Sequence, residues 1–126
     1  MEKKIIKTDK APAPIGPYSQ AVWAGDLLFI SGQIALNPST NELLVTNTVE
    51  ETHQVMKNIG AILEAAELDF NHIIKATIFL SDMSLFNDVN TAYGSYFTEN
   101  FPARETVAVK GLPKNVNVEI SIIASK

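Results

Sequence analysis

Cysteine is absent from this 126-residue sequence. That absence excludes disulfides, thiolate nucleophiles and cysteine-bound zinc, so any chemistry must rely on oxygen, nitrogen or water. Positive charge is also scarce, because 10 Lys and Arg stand against 14 Asp and Glu, and the net charge is −4. Phosphate binding draws its affinity from clustered Lys and Arg, which are dispersed here, so we expect no nucleic-acid partner.

Long apolar runs and cofactor motifs are missing as well. Residues 1–7 include lysines but no apolar run follows them, so we expect neither a signal peptide nor a membrane anchor, and a cytoplasmic location. There is no Walker loop, Gly-x-Ser-x-Gly elbow or Gly-x-Gly-x-x-Gly, and we expect no nucleotide cofactor. Glu50 and His53 have a spacing that could bind a metal, but such a lone pair on an exposed helix is usually surface, and we expect no metal.

The composition that remains is that of a folded protein. Hydrophobic residues make up 46% of the sequence and charged residues 19%, which is ordinary for a globular chain. At this length residues 1–126 form one domain, so a site must lie within that domain or between copies of it.

The first half of the chain predicts three strands and a helix. Residues 3–7, 19–24 and 27–34 are strand-like, with the last two joined as a hairpin at Gly25-Asp26. Thr48 and Glu51 fit a capping box that begins a helix. The helix has one apolar stripe, formed by Val55, Met56, Ile59, Ile62, Leu63 and Ala66.

The second half predicts a central strand, a second helix and two further strands. Residues 73–80 are nearly apolar on both faces, as expected of a strand covered from two sides. Ser81, Asp82 and Ser84 offer caps for a helix that runs to about Phe97. Residues 105–110 and 116–124 are strands that we expect to pair as an antiparallel hairpin. The fold class is therefore α+β, with both helices on one face of a five- or six-stranded sheet.

Strand alternation then assigns faces to the last two strands. We expect Val107 and Val109 to face the helices together with the valine and isoleucines of the next strand, Val118, Ile120 and Ile122. The opposite face would carry Arg104, Thr106, Ala108, Asn117, Glu119, Ser121 and Ile123. That second face is too apolar to stay wet and too polar for a core, which predicts that another subunit covers it.

Arg104 and Glu119 are the leading candidates for chemistry. A guanidinium matches a carboxylate bidentately, and a carboxylate on the same face could hold or activate a water. The plainer interpretation is a salt bridge at a strand end, in which Glu119 only neutralises Arg104, and on residue chemistry alone the two are about even. Tyr18 and Ser31-Gly32-Gln33 also suit a ligand, although packing and a bulge explain them equally well.

Several blocks resemble the reactive intermediate deaminase family, also called the RidA or YjgF family. They extend over essentially the whole chain and follow the family order. The blocks are Ala13-Pro14-Ile15-Gly16-Pro17-Tyr18-Ser19-Gln20-Ala21, Leu28-Phe29-Ile30-Ser31-Gly32-Gln33-Ile34, Val89-Asn90-Thr91-Ala92-Tyr93, Pro102-Ala103-Arg104, Leu112-Pro113-Lys114 and Val118-Glu119-Ile120.

This resemblance implies a chorismate-mutase-like fold, a homotrimer, and ligand sites in clefts between subunits. It implies hydrolysis of 2-imino acids such as 2-iminobutanoate and 2-iminopropanoate to 2-keto acids and ammonia, without metal or cofactor. Arg104 would bind the substrate carboxylate, Glu119 would position water, and the backbone of Gly32 would approach the substrate nitrogen. The cleft would be lined by Tyr18, Ser31 and Asn90.

Two positions depart from the family pattern. Thr106 stands where many relatives carry a cysteine, so a thiol contribution is absent, although a backbone contact to ligand is retained. Glu105 replaces a residue that is usually small.

Two other functions are compatible with parts of the sequence. One is a non-catalytic trimer that binds keto acids, which uses the same arginine. The other is a ribonuclease, which an acidic chain without a catalytic histidine pair supports poorly.

Overall fold

The computed structural model describes residues 3–126, and residues 1 and 2 lie outside that range. It contains two α-helices, α1 (Thr48–Ala65) and α2 (Phe86–Gly94). Three short 3-10 turns, Phe70–His72, Met83–Leu85 and Pro113–Asn115, lie in the connections. The strands are β1 (Lys4–Ile6), β2 (Ala21–Ala24), β3 (Leu27–Gln33), β4 (Ile73–Leu80), β5 (Ala103–Ala108) and β6 (Val118–Ser125).

The six strands form one mixed sheet in the order β1-β2-β3-β6-β4-β5. All neighbouring pairs are antiparallel except β4 and β5, which run parallel. The hairpin at Gly25-Asp26 is confirmed, and Gly25 takes the positive φ of 60° that the turn requires. The predicted α+β class, with a mixed sheet and two helices, is confirmed.

The core lies between the sheet and the two helices. Alternate residues of β6 are buried on that side, from Val118 through Ile120 and Ile122 to Ala124. The apolar stripe of α1 packs against them, and it has no exposed surface at Val55, Met56, Ile59, Ile62 and Leu63. A 3.6-residue period on the helix therefore meets a two-residue period on the strand, as the sequence predicted.

The predicted hairpin of β5 with β6 is wrong. β5 is an edge strand and pairs in parallel with β4, while β6 lies on the other side of β4. The chain leaves β4, passes through α2 and returns as β5, and this helical crossover is the connection that parallel strands require. A strand following Phe101-Pro102 is compatible with both arrangements, and local pattern alone does not distinguish them.

The parallel register also reverses the predicted faces of β5. Arg104 lies opposite Ala76, which lies opposite Ile122 on the buried side of the sheet. Val107 lies opposite Phe79, which lies opposite Glu119 on the other side. Arg104 and Thr106 therefore face the helices and Val107 does not, so the predictions that Val107 faces the helices and that Arg104 shares a face with Glu119 are wrong.

The first helix begins at Thr48 as predicted, but its capping residue and the end of the second helix differ from the prediction. Asn47, and not Thr48, is the N-cap of α1, and its Oδ1 accepts a hydrogen bond from the Glu50 backbone N–H at 2.8 Å. The second helix ends at Gly94 instead of Phe97, because the chain tightens into a turn in which Ser95 N–H donates to the Ala92 carbonyl. The residues that follow α2 still pack on the core.

Glu51 is not part of a capping box. Its side chain instead connects α1 to the start of β6 through hydrogen bonds. It is fully buried, and its carboxylate accepts hydrogen bonds from Asn117 N at 2.8 Å, Asn117 Nδ2 at 2.8 Å and Val118 N at 3.2 Å. These donors would otherwise lie unpaired where β6 enters the core. Since Glu119 follows directly, the same contacts fix the start of the strand that carries it.

The face of the sheet away from the helices is open and partly apolar. Its exposed side chains include Phe29 at 44% and Val107 at 45%, together with Ile5 and Leu27. Lys75 and Glu105 form an ion pair of 3.4 Å on this face. The Glu105 side chain, which stands where the family pattern has a small residue, is therefore paired with a cation. Within residues 3–126, no helix is long and apolar enough to cross a membrane.

Replacing Glu51 by Ala should destabilise the protein strongly. The change leaves three donors at the start of β6 without an acceptor, and we expect a loss of about 3 kcal/mol in the free energy of unfolding. Urea unfolding would measure it. Glu64→Ala removes an exposed carboxylate of the same helix, and this control should change the unfolding free energy by less than about 1 kcal/mol. Equal effects of the two changes would contradict the role of Glu51.

Candidate functional site

The candidate residues gather at two separate places on the chain. A cavity of about 380 Å³ contains Tyr18, Ser31, Gly32 and Glu119, and Ile15, Ile34 and Pro113 complete its lining. We call it the glutamate half-site. A second cavity of about 410 Å³ is lined by Asn90, Tyr93, Gly94, Phe101, Pro102 and Arg104. We call it the arginine half-site.

The glutamate half-site is built on a close approach between Glu119 and Gly32. The pairing of β3 with β6 shifts register between Ile30 and Gln33, so Gly32 lies in an irregular part of the strand. A Cβ atom at Gly32 would lie 2.9 Å from the Glu119 Cδ, closer than such atoms come in practice. Only glycine leaves room for this carboxylate, so the strand glycine predicted from sequence has a packing reason.

Hydrogen bonds fix the loop that carries Tyr18 to the same strand. Ser31 Oγ donates to the Ser19 carbonyl at 2.6 Å, and Ser31 N–H donates to the Gln20 carbonyl at 2.9 Å. The buried Gln20 side chain in turn donates to the Pro12 carbonyl at 2.9 Å and accepts from Thr8 N at 2.8 Å. This role of Gln20 was not predicted from the sequence. The proline-rich loop is therefore held in place, and Tyr18 remains half exposed at the cavity.

Burial raises the pKa of the Glu119 carboxyl above its ordinary value. Desolvation is the cause of this shift, and within residues 3–126 no hydrogen bond or ion pair to this carboxylate offsets the loss of water. A carboxylate in such surroundings is a stronger base than an exposed one, because hydration no longer stabilises its charge. This is the electrostatic property that a residue accepting a proton from water would need.

The arginine half-site is organised by α2. Arg104 Nη1 donates a hydrogen bond to Asn90 Oδ1 at 2.6 Å. The guanidinium carbon also lies over two rings, 5.3 Å from the centroid of Tyr93 and 5.7 Å from that of Phe86. Sequence analysis missed Phe86 and Tyr93 as partners of Arg104. Their spacing with Asn90, at positions 86, 90 and 93, was the available signal, because it places all three on one helix face.

Thr106 lies two residues beyond Arg104 on the same side of β5. Its Oγ1 is buried without a hydrogen-bond partner among residues 3–126, and the Tyr93 hydroxyl is in the same condition. One chain thus brings Asn90 and Arg104 together, with Thr106 on the same strand. It brings Tyr18, Ser31, Gly32 and Glu119 together elsewhere. It does not bring Arg104 to Glu119, and the roles of all seven stay predictions.

Titratable side chains elsewhere in residues 3–126 form no comparable site. Within residues 3–126, no three His, Asp or Glu side chains are grouped as a metal would require. His53, expected to be solvated, is half-buried with its Nδ1 2.8 Å from the Tyr96 hydroxyl. A cavity of about 510 Å³ between the end of α1 and β1–β2 includes Lys4, Trp23, His72 and Lys126, and none of the candidate residues lies in it.

Comparison with known proteins gives the family. The sequence profile described as endoribonuclease L-PSP matches residues 8–126. The chain belongs to this family. It is 50% identical to a RutC family protein of Pyrococcus horikoshii, over 98% of both chains. It is 48% identical to the 2-iminobutanoate/2-iminopropanoate deaminase of Mus musculus, over 97% of this chain and 90% of the relative.

The fold agrees with solved structures of the family. The crystal structure of Escherichia coli TdcF with bound serine superimposes with a TM-score of 0.93 at 39% identity, over 98% of each chain. The family resemblance and the fold implied by the sequence blocks are therefore confirmed. The family description names an endoribonuclease, whereas the mouse relative is named as an imine deaminase.

The raised pKa of Glu119 makes stability depend on pH in a defined direction. The native carboxyl holds its proton to a higher pH than the unfolded chain does, so the free energy of unfolding falls as pH rises through the raised pKa. Glu119→Gln removes this penalty, and we expect the variant to gain stability relative to the parent as pH rises from below to above the raised pKa. Urea unfolding across that range would measure the gain, with Glu42→Gln, an exposed carboxyl, as the charge-matched control. A gain that shrinks with rising pH would refute the sign.

Proposed function

We propose that this protein hydrolyses reactive 2-imino acids, among them 2-iminobutanoate and 2-iminopropanoate, to 2-keto acids and ammonia. We further propose that the active site forms between subunits of a homotrimer, where the arginine half-site of one chain meets the glutamate half-site of the next. The observation that carries the proposal is the placement of Arg104 and Glu119 on opposite faces of one sheet. A single chain cannot use both residues on one small substrate.

The surfaces around the two half-sites support joining them. Phe101 at the arginine half-site and Ile15 at the glutamate half-site are 65% and 66% exposed, although both are large and apolar. The open sheet face adds Phe29 and Val107. Large apolar side chains left this exposed are typical of a surface that another chain covers. A repeated head-to-tail contact closes into a ring when its rotation allows, which gives one site per interface.

The relatives support the class of substrate. A 2-imino acid has a carboxylate beside a C=N bond, and a guanidinium is the side chain best suited to hold that carboxylate in a fixed orientation. In TdcF the bound molecule is serine, which also carries a carboxylate beside a carbon–nitrogen bond. The mouse relative is named for the proposed reaction itself.

The proposed mechanism needs little beyond orientation and one base. Arg104 holds the carboxylate, and Glu119 takes a proton from water as its oxygen adds to the electrophilic imine carbon. That proton passes to the nitrogen and gives a carbinolamine. Glu119 then takes the hydroxyl proton and returns it to the nitrogen as the C=O bond forms and the C–N bond breaks, so a 2-keto acid and ammonia leave. The Gly32 backbone lies beside the Glu119 carboxylate and would meet the nitrogen. Tyr18, Ser31, Asn90 and Thr106 would complete the walls of the joined cleft.

The activity can be tested by generating 2-iminobutanoate in situ with a threonine dehydratase and following 2-oxobutanoate release. We expect the protein to accelerate release, and Arg104→Ala to lower kcat/KM by about 100-fold, because two charge-assisted hydrogen bonds to the carboxylate are lost. Lys110→Ala, which removes an exposed cation just beyond β5, is the matched control and should retain activity. Keto acid binding without any acceleration would instead identify a non-catalytic binder.

The joined site predicts complementation between two impaired variants. Arg104→Ala lacks one half-site and Glu119→Gln the other, so each homo-oligomer should have little activity at substrate concentrations well below KM. When the two chains are unfolded together and refolded as a mixture, an intact Arg104 faces an intact Glu119 at about one interface in four, and about a quarter of the parent activity should return. Sedimentation equilibrium should give three chains per particle. Failure of the mixed particles to regain activity would argue against a shared site.

A further inference from the structure

Phe86, Asn90 and Tyr93 project from α2 toward a single residue, Arg104. These three side chains, which we call the arginine cradle, stand four and three residues apart and so occupy one face of the helix. The family blocks point to Asn90 as a wall of the cleft. In the structure its carboxamide oxygen is already occupied by Arg104 Nη1 at 2.6 Å.

The cradle offers the guanidinium negative potential from three directions. The faces of the Phe86 and Tyr93 rings are electron-rich, and both lie within the range at which a cation over an aromatic ring is attracted. The Asn90 oxygen adds one hydrogen bond in the plane of the group. A guanidinium held through its face and one nitrogen keeps other N–H groups at its edge for a planar carboxylate.

Tyr93 is the most constrained member of the cradle. It is only 4% exposed, and its ring packs against that of Phe97 with centroids 5.0 Å apart. Its hydroxyl has no hydrogen-bond partner among residues 3–126, so Tyr93 contacts Arg104 through its ring and not through its hydroxyl. Tyr93 also lines the arginine half-site beside Asn90 and Arg104.

We infer that Phe86 and Tyr93 are positioning residues that orient Arg104 for carboxylate binding through their ring faces, with Asn90 fixing the guanidinium rotation. This inference rests on the proposed function for its substrate. Because Arg104 would hold the carboxylate equally in the ground state and in the transition state, a misplaced guanidinium weakens binding without slowing the chemical step. The signature of the cradle is therefore a rise in KM with little change in kcat.

Three variants separate the ring from the hydroxyl and from general packing. Tyr93→Leu and Phe86→Leu each remove one aromatic ring but keep apolar bulk, and Phe86 is the half-buried position of the two. Tyr93→Phe keeps the ring and removes only the unpaired hydroxyl. We expect each leucine variant to raise the KM for 2-iminobutanoate and the Kd for 2-oxobutanoate about tenfold. Tyr93→Phe should stay within about twofold of the parent, and its Tm should be equal or higher, since a buried unpaired hydroxyl is lost.

The measurements use the assembled full-length protein, with Kd from calorimetry and the order of the Arg104 Nε–H from ¹⁵N relaxation. Tyr93→Leu should make this group more mobile, which a loss of packing elsewhere would not do. If Tyr93→Leu does not fold, Phe86→Leu decides the outcome. Parent-like KM and Kd in the folded leucine variants would overturn the inference, as would equal damage from Tyr93→Phe. If the parent itself neither binds 2-oxobutanoate nor turns over the imine, the proposed function fails instead.

Discussion

The parallel pairing of β5 with β4 is the constraint on which the functional geometry depends. It fixes Arg104 opposite Ala76, on the side of the sheet that the helices cover, and so delivers the guanidinium to α2. Glu119 belongs to β6, two strands away, and its alternation places it on the open side over Gly32. A sheet is one residue thick, so no side-chain rotation can bring these two groups to the same ligand within one chain. The fold thereby makes a neighbouring copy a requirement of the proposed chemistry.

The sequence could predict those helices and strands whose own residues show a clear hydrophobic period. The stripe of α1 repeats apolar side chains every 3.6 residues, and buried side chains occur at every second residue of β6. Each element can therefore be predicted from its own residues. The family blocks supplied the candidate residues, and the two cavities contain six of them. Thr106 lies beside the arginine half-site with its hydroxyl buried.

What sequence could not supply was the relation between elements. The residues of β5 alternate in the same way whether the strand pairs with β6 or with β4, and only the partner strand decides which set faces the helices. The capping box predicted for Glu51 is wrong for a similar reason. Its position three residues after Thr48 fits a capping box, whereas its actual partners, Asn117 and Val118, are 66 and 67 residues away and are brought close by the fold. The contacts of the Phe86 and Tyr93 rings with Arg104 likewise depend on the helical crossover from β4 through α2 to β5.

Among residues 3–126, the buried side-chain polar atoms other than those of Tyr93 and Thr106 have hydrogen-bond partners, which sets the half-sites apart. Buried Gln20, Glu51 and Asn58 each engage several partners, and Asn58 alone donates to the Ile34 and Leu36 carbonyls at 3.0 Å. By contrast, the unpaired hydroxyls of Tyr93 and Thr106 lie beside Arg104, and the desolvated Glu119 carboxylate lies in the other cavity. Local costs of this kind concentrate where a protein acts, because a group that is fully paired within its own chain has nothing left to offer a ligand or a partner subunit. The unsatisfied and desolvated polar groups of the chain thus lie at the two surfaces that the proposed assembly would join. A ligand or a neighbouring subunit at those surfaces could supply the partners that these groups lack within one chain.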